Sequence, residues 1–280
     1  MSKVICYTKA GLPNIYNEST YYFELFSTPS QKAPNIGHVG NNFLNELRKS
    51  GISLSPAVFD FTILAMSIVA ADRAILRRNS PDGWTRQIEL EVPLYDICGW
   101  TKVKEKLEYM LRFLSGDFWK LTFVPLQESI DFRESHNQLE NDCVCLLSGG
   151  MDSLVGGIDL CTTGRKPLFV AQTVRGDAAH QREYANALGE DNLCQWSCYI
   201  KKIGASENST RARSIIFFAF ALLASCRVSA NEKGRKEIYV PENGFISLNI
   251  PLDPLRNGSL STKTTHPLYM KALQEIWDEM

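Results

Sequence analysis

Hydrophobic and polar residues in the first half of the chain follow helical and strand-like spacings in turn. Residues 55–76 are mostly apolar and begin with Ser-Pro, which is typical of a helix start, so this segment predicts a buried helix. Residues 87–92 alternate polar and apolar side chains like a half-buried strand. A further helix is expected over 100–114 and a strand over 119–124, whereas the Pro- and Gly-rich segment 29–40 predicts an irregular loop.

The second half of the chain alternates strands and helices after the polar segment 127–142. Alternation of that kind is typical of a parallel sheet covered by helices. We therefore expect an α/β fold, in which a Rossmann-like domain over 141–280 follows a mixed α+β domain over 1–140. Strands of the second half are expected at 143–147, 168–173, 194–200 and 237–240, and helices at 152–161, 178–188 and 211–228.

The composition is that of a globular protein without strong electrostatic bias. Hydrophobic residues make up 44% and charged residues 22%, and the formal net charge is −1. This balance disfavours direct binding to nucleic acid or to a membrane surface. The N-terminus lacks the apolar core of a signal peptide, and the eight cysteines form no CxxC pair, which favours a cytoplasmic protein with reduced thiols. Cys194 and Cys198 are interpreted as core thiols, with half of a zinc site as the alternative.

The segment Ser148-Gly149-Gly150-Met151-Asp152-Ser153 carries the clearest chemistry in the sequence. It lies between a predicted strand and a predicted helix, where the loops of parallel sheets bind ligands. The glycines let backbone N–H groups converge on an anion, and the helix N-terminus and the hydroxyls of Ser148 and Ser153 add to the attraction. Asp152 would hold Mg²⁺ or fix the loop by accepting N–H groups. The pattern predicts a phosphate-binding loop, with a tight turn of small residues as the alternative.

The spacing is not that of a Walker A loop, because no Lys-Ser/Thr follows the glycines, nor that of the G-x-G-x-x-G dinucleotide fingerprint. It matches the SGGxDS signature and so resembles the PP-loop, or N-type, ATP pyrophosphatases, whose fold is of the adenine nucleotide alpha hydrolase type. Further segments resemble the QueC-like (7-cyano-7-deazaguanine synthase-like) proteins of the QatC type, which belong to bacterial anti-phage cassettes. These segments are 70–73, 84–86, 207–214, 241–245 and 261–267.

The resemblance implies an enzyme that uses ATP and Mg²⁺. Such proteins hold the β- and γ-phosphates as a leaving group while an oxygen nucleophile attacks the α-phosphorus. For this chain it implies adenylation of a carboxylate, of the deazaguanine kind, with release of pyrophosphate and transfer to an amine, in a defence system with protein partners. A non-catalytic ATP-binding subunit of a defence complex is the alternative. QueC enzymes also carry a cysteine-rich zinc site, which nothing after Cys226 supplies, so zinc is expected only in a further C-terminal segment.

Two arginines are candidates for binding the nucleotide or the substrate beside the loop. Arg211 and Arg213 open the helix predicted at 211–228, where a guanidinium would neutralise phosphate charge or hold a substrate carboxylate. Because they are two residues apart on a helix, at most one is expected to face the nucleotide, and solvated arginines are the alternative. We expect Asp152, Ser153 and Arg211 to be catalytic and Arg213 to bind substrate.

Four other polar residues follow predicted strands or lie in loops. Glu242 and Asn243 come after the strand at 237–240, where they would bind a heterocycle or a metal, or form a plain turn. His266 is a candidate for a general base or a substrate ligand, with an ordinary surface loop as the alternative. His180 would lie near the ribose or the second substrate.

Overall fold

Two β-sheets and the helices around them form an α/β structure in a computed structural model, which describes residues 1–13, 15–52, 54–128, 140–173, 176–189, 193–248 and 263–280. The strands are β1 (Ser2–Tyr7), β2 (Thr20–Leu25), β3 (Ile36–Val39), β4 (Gln87–Leu94), β5 (Phe118–Pro125), β6 (Cys143–Leu146), β7 (Pro167–Gln172), β8 (Leu193–Trp196), β9 (Ile200–Lys202) and β10 (Ile238–Tyr239). The helices are α1 (Phe43–Lys49), α2 (Pro56–Ala74), α3 (Ile97–Ser115), α4 (Met151–Thr162), α5 (Ala178–Ala187), α6 (Ile215–Ser225), α7 (Gly244–Leu248) and α8 (Pro267–Asp278).

The first sheet is mixed and has the order β5-β4-β1-β2-β3-β9. The strands β1 to β5 are parallel to their neighbours, and only β9 runs antiparallel, against β3. The expectation of an irregular loop over 29–40 is wrong at its end, since β3 is a buried strand. A Cβ at Gly37 would lie 2.6 Å from the carbonyl oxygen of Lys201 and 2.7 Å from the ring of Phe23. This glycine therefore permits close strand packing and does not mark a turn.

The second sheet is entirely parallel and has the order β10-β6-β7-β8, which is compatible with a Rossmann-like arrangement. The single strand predicted over 194–200 is wrong, because the chain there forms β8 in this sheet and β9 in the mixed sheet. The carbonyl of Tyr199 accepts a hydrogen bond from the backbone N–H of Gly40 at 2.9 Å, where the chain passes between the two sheets. The pattern of hydrophobic residues does not indicate that the chain moves from one sheet to the other.

The helix predicted over 211–228 is confirmed in its middle, but it begins only at Ile215. The carboxylate of Asp72 accepts hydrogen bonds from the backbone N–H groups of Arg211 and Ala212, both at 2.8 Å. A buried side chain of α2 therefore holds this segment outside the helix. Arg211 and Arg213 consequently lie in the preceding loop, and the argument from their helical spacing is wrong.

The hydrophobic core continues across residue 140, where the sequence predicts a domain boundary. One cluster of buried side chains draws on both halves, as α2 packs against α6 and α3 against α8. Phe43 stacks on Phe220 with ring centroids 5.6 Å apart, and Phe61 meets Trp277 edge-on at 5.8 Å. The two-domain division stays a prediction. No helix in the described part of the chain is both long and apolar enough to cross a membrane.

Candidate functional site

The segment 148–153 joins the carboxyl end of β6 to the N-terminus of α4. Gly149 has a φ of 90°, in the left-handed region that favours glycine, whereas Gly150 caps the helix in an extended conformation with φ −90° and ψ 169°. The first backbone N–H groups of α4 have no partner within the helix, as at any helix N-terminus.

Hydroxyl groups fix the shape of this loop. Ser148 Oγ donates to Ser153 Oγ at 3.1 Å and accepts from the backbone N–H of Gly150 at 3.3 Å. Ser153 Oγ donates to the carbonyl of Gly150 at 2.8 Å. Gln181 of α5, which sequence reasoning missed, donates to the carbonyls of Ser148 and Gln172, both at 3.2 Å. The loop is thus held by its own side chains and by α5.

The loop opens into a cavity of about 210 Å³, which we call the loop cavity. It is lined by five residues of the loop segment, namely Ser148, Gly150, Met151, Asp152 and Ser153. Its other lining residues are Leu146, Phe217, Phe218, Val240, Pro241, Glu242, Thr264 and Thr265. A helix N-terminus with small and hydroxyl residues therefore faces a recess, which is the arrangement that binds phosphate groups.

Two carboxylates meet in the loop cavity. Burial, and then the neighbouring carboxylate of Asp152, raise the pKa of Glu242, whereas hydrogen bonds from the backbone N–H of Asn243 and then from the hydroxyl of Thr265 partly offset them. A raised pKa of this kind favours either protonation of Glu242 or a bound cation beside it. One or two carboxylates together with substrate phosphates is the usual ligand set of Mg²⁺, so these residues fit that ion. Among the described residues, no group of three or more histidine, cysteine or acidic side chains is arranged for a metal.

A second cavity of about 540 Å³ shares Phe217, Glu242 and Thr264 with the loop cavity. We call it the cation cavity, because Arg211, Arg213 and Lys263 line it. The remaining wall consists of Leu114, Asn208, Ser209, Thr210 and Ser214. The structure therefore brings Glu242 and the two predicted arginines to the neighbourhood of the loop, and it adds Lys263, which sequence reasoning did not single out.

A buried ion network holds the segment that carries Arg211. The network consists of Asp72, Arg77, Arg86 and Asp117, and we call it the closed ion network. Arg77 binds both oxygens of Asp117 at 2.9 Å, and Arg86 pairs with Asp117 at 2.6 Å and also with Asp72. The second oxygen of Asp72 receives the N–H groups of residues 211 and 212.

Glu207 and Trp84 extend this support towards the cation cavity. The carboxylate of Glu207 accepts from the backbone N–H groups of Arg77 at 2.8 Å and Ser209 at 2.7 Å. The guanidinium of Arg211 lies 4.9 Å from the centre of the Trp84 ring, and that of Arg77 lies 5.0 Å from it. The segments 70–73, 84–86 and 207–214 are thus in mutual contact. Their sequence signal was the resemblance alone, since no spacing within the chain predicts the pairing.

Three predicted residues do not line either cavity. The side chain of Asn243 accepts from the backbone N–H of Phe245 at 2.9 Å, at the start of α7. His266 Nδ1 accepts from the N–H of Leu268 at 3.2 Å, and its ring lies 5.1 Å from that of Phe113. Both act as local caps, because a side-chain acceptor satisfies the first donors of a helix. His180 is exposed on α5.

Two points from the sequence remain, the segment 261–267 and the cysteines. Residues 261 and 262 of the segment 261–267 lie outside the described residues. All eight cysteines are free thiols. Burial raises the pKa of Cys194 to about 11 and that of Cys198 to about 12, so both hold their protons at neutral pH.

Comparisons of this chain with models of protein families, with curated proteins and with solved structures find no match.

Proposed function

We propose that this protein activates a carboxylate with ATP, forming an acyl adenylate and releasing pyrophosphate. One observation carries the proposal: the glycine-containing loop at the N-terminus of α4 and the carboxylates of Asp152 and Glu242 face the same cavity. A helix N-terminus attracts phosphate, and paired carboxylates attract the cation that accompanies it. The cation cavity beside it offers room for a second substrate.

The loop binds the β- and γ-phosphates through backbone N–H groups, with the hydroxyls of Ser148 and Ser153 holding its shape. Asp152 and Glu242 would hold Mg²⁺, which when bound would supply positive charge to the phosphates and to the leaving pyrophosphate. A carboxylate oxygen of the substrate forms a bond to the α-phosphorus as the bond between that phosphorus and the bridging oxygen breaks. Arg211 balances negative charge at the reacting carboxylate. An amine then attacks the acyl carbon, AMP leaves, and the amine gives up a proton to water.

The resemblance to QueC-like proteins suggests the partners of this reaction. The acid is a 7-deazaguanine carboxylate, and the acceptor is ammonia or an amine on a protein or nucleic acid of an anti-phage system. Protein partners encoded in the same cassette would present that amine.

The second candidate is a non-catalytic ATP-binding subunit of a defence complex. The hydrogen bonds from Gln181 and between the two serines favour it, because they hold a preformed loop and a preformed loop is sufficient for binding without catalysis. Such a subunit binds Mg-ATP, gains thermal stability, and forms no product.

The products of turnover distinguish the two candidates. The protein is incubated with Mg-ATP and 7-carboxy-7-deazaguanine labelled with ¹⁸O in the carboxyl group, with ammonium as the acceptor. We expect AMP carrying one ¹⁸O, together with pyrophosphate, because the attacking carboxylate oxygen remains on the α-phosphorus. Formation of ADP and orthophosphate would contradict the mechanism, and a thermal shift without any product would support the binding subunit.

A further inference from the structure

The three cations of the cation cavity have no acidic partner among the described residues. Arg211, Arg213 and Lys263 make no ion pair within 4.0 Å in the described part of the chain. Nη1 of Arg211 is buried there without a hydrogen-bond partner. Because a buried donor that finds no acceptor is costly, this arrangement suits an anion that enters the cavity.

The local electrostatics agree with that arrangement. Burial, and then the charge of Arg211, lower the pKa of Lys263, while burial and then Arg77 lower that of Arg211. Asp72 and Asp117 act on Arg211 in the opposite direction, but both are engaged in the closed ion network. Glu242 is the only acidic side chain in the described wall of the cavity. The positive charges therefore exceed the negative ones around this space.

The shape of the cavity favours an organic anion over a bare ion. At about 540 Å³ it is more than twice as large as the loop cavity, and Leu114 and Phe217 give it apolar walls. A polyphosphate has no apolar surface to place against Leu114 and Phe217. A carboxylate on an apolar body can contact both these walls and the cations.

We infer that the cation cavity is the binding site of the acid that is activated, with its carboxylate between Arg211 and Lys263 and its body against Leu114 and Phe217. This inference rests on the proposed function and assigns a place to its second substrate. The two cavities share Phe217, Glu242 and Thr264, so a carboxylate in one lies beside phosphates in the other. Arg211 is held for this role by Asp72 and by the Trp84 ring. Lys263 becomes a residue that selects acids over neutral analogues.

Calorimetric binding to the full chain tests this assignment. The probes are 7-carboxy-7-deazaguanine and its neutral carboxamide, with benzoate and benzamide as a second pair. We expect the wild-type protein to bind the deazaguanine acid about tenfold more tightly than the amide, because charge-assisted hydrogen bonds are stronger than neutral ones. Arg211→Met and Lys263→Met should each remove most of that preference, because the acid loses a charge-assisted hydrogen bond and the amide only a weaker one, while the Mg-ATP thermal shift is retained. Lys102→Met is the matched control, since Lys102 is exposed on α3 and lines neither cavity.

Three results would contradict the assignment of the acid to the cation cavity. Equal wild-type affinity for each acid and its amide would contradict an acid site, and so would variants that retain the preference. Loss of the Mg-ATP shift in step with acid binding would assign the cations to the nucleotide instead. Failure of the proposed function looks different, because the acid preference and its loss in the variants would persist while no AMP forms. Lys263→Met keeps the test valid if Arg211→Met does not fold.

Discussion

Two groups of basic residues lie next to each other in this protein and differ in how their charge is balanced. In the closed ion network, Arg77 and Arg86 are buried and their charges are matched by Asp72 and Asp117. In the cation cavity, Arg211 and Lys263 have no acidic partner among the described residues. The same residue type therefore serves two purposes. A charge that the protein balances itself supports structure, whereas a charge left for a ligand to balance supports binding.

Breaking the closed ion network should have the largest effect on stability. Arg86→Met leaves Asp72 and Asp117 buried with one partner fewer, so we expect the free energy of unfolding to fall by about 3–5 kcal/mol. Urea unfolding measures it. The control is Lys120→Met, which breaks an exposed pair with Glu89 at 2.9 Å and should change stability little. Equal effects of the two substitutions would show that burial of the network does not matter.

A substitution in the loop cavity should lower catalytic activity and leave the stability of the fold unchanged. Asp152→Asn keeps the shape of the side chain but removes the charge proposed to hold Mg²⁺, so AMP formation should fall on the order of 100-fold. The melting temperature should stay close to the wild-type value, since Asp152 lies at a cavity wall. Wild-type turnover in this variant would assign Asp152 a structural role only.

The two glycines separate backbone strain from ligand contact. Gly149→Ala should lower the free energy of unfolding by about 1–2 kcal/mol, because a φ of 90° is strained for alanine. Gly150→Ala should leave stability almost unchanged, since its backbone is extended and the new Cβ would lie 3.5 Å from Ser148 Oγ.

Thermal melts with and without Mg-ATP complete this comparison. The methyl group at 150 should obstruct the phosphates and abolish the rise in midpoint that Mg-ATP causes in the wild type. A variant that responds to Mg-ATP as the wild type does would refute phosphate binding at this glycine.

The smallest expected effect concerns the pH dependence of stability. The pKa of Glu242 is raised in the folded protein above its ordinary value of 4.5, so protonation of this group stabilises the fold. That contribution is present below pH 4.5 and is lost as pH rises through the folded pKa. Glu242→Gln should therefore flatten the stability profile over this window and weaken the Mg-ATP shift at pH 7. A profile parallel to that of the wild type would show that the pKa of Glu242 is not raised in the folded protein.

Local sequence was sufficient to predict the strand, loop and helix around residues 148–153 as a structural unit. A short apolar strand, two glycines and a helix follow one another in the chain, and the structure has β6, a left-handed Gly149 and α4 in that order. The predicted helices over 55–76 and 100–114 correspond to α2 and α3 for the same reason. Periodicity and turn chemistry depend on neighbours in sequence, so they are visible without a fold.

Only the tertiary structure decided which distant residues meet. Glu242 reaches Asp152, and Asp72 holds the backbone of Arg211 outside α6, because sheets and helices far apart in the chain pack against each other. The same packing leaves His266 capping α8 instead of lining a cavity. The strand predicted over 194–200 was divided between two sheets by pairing that no local pattern encodes. Hydrogen-bond partners of this kind are set by the three-dimensional arrangement, whereas the sequence by itself determined the elements that compete for them.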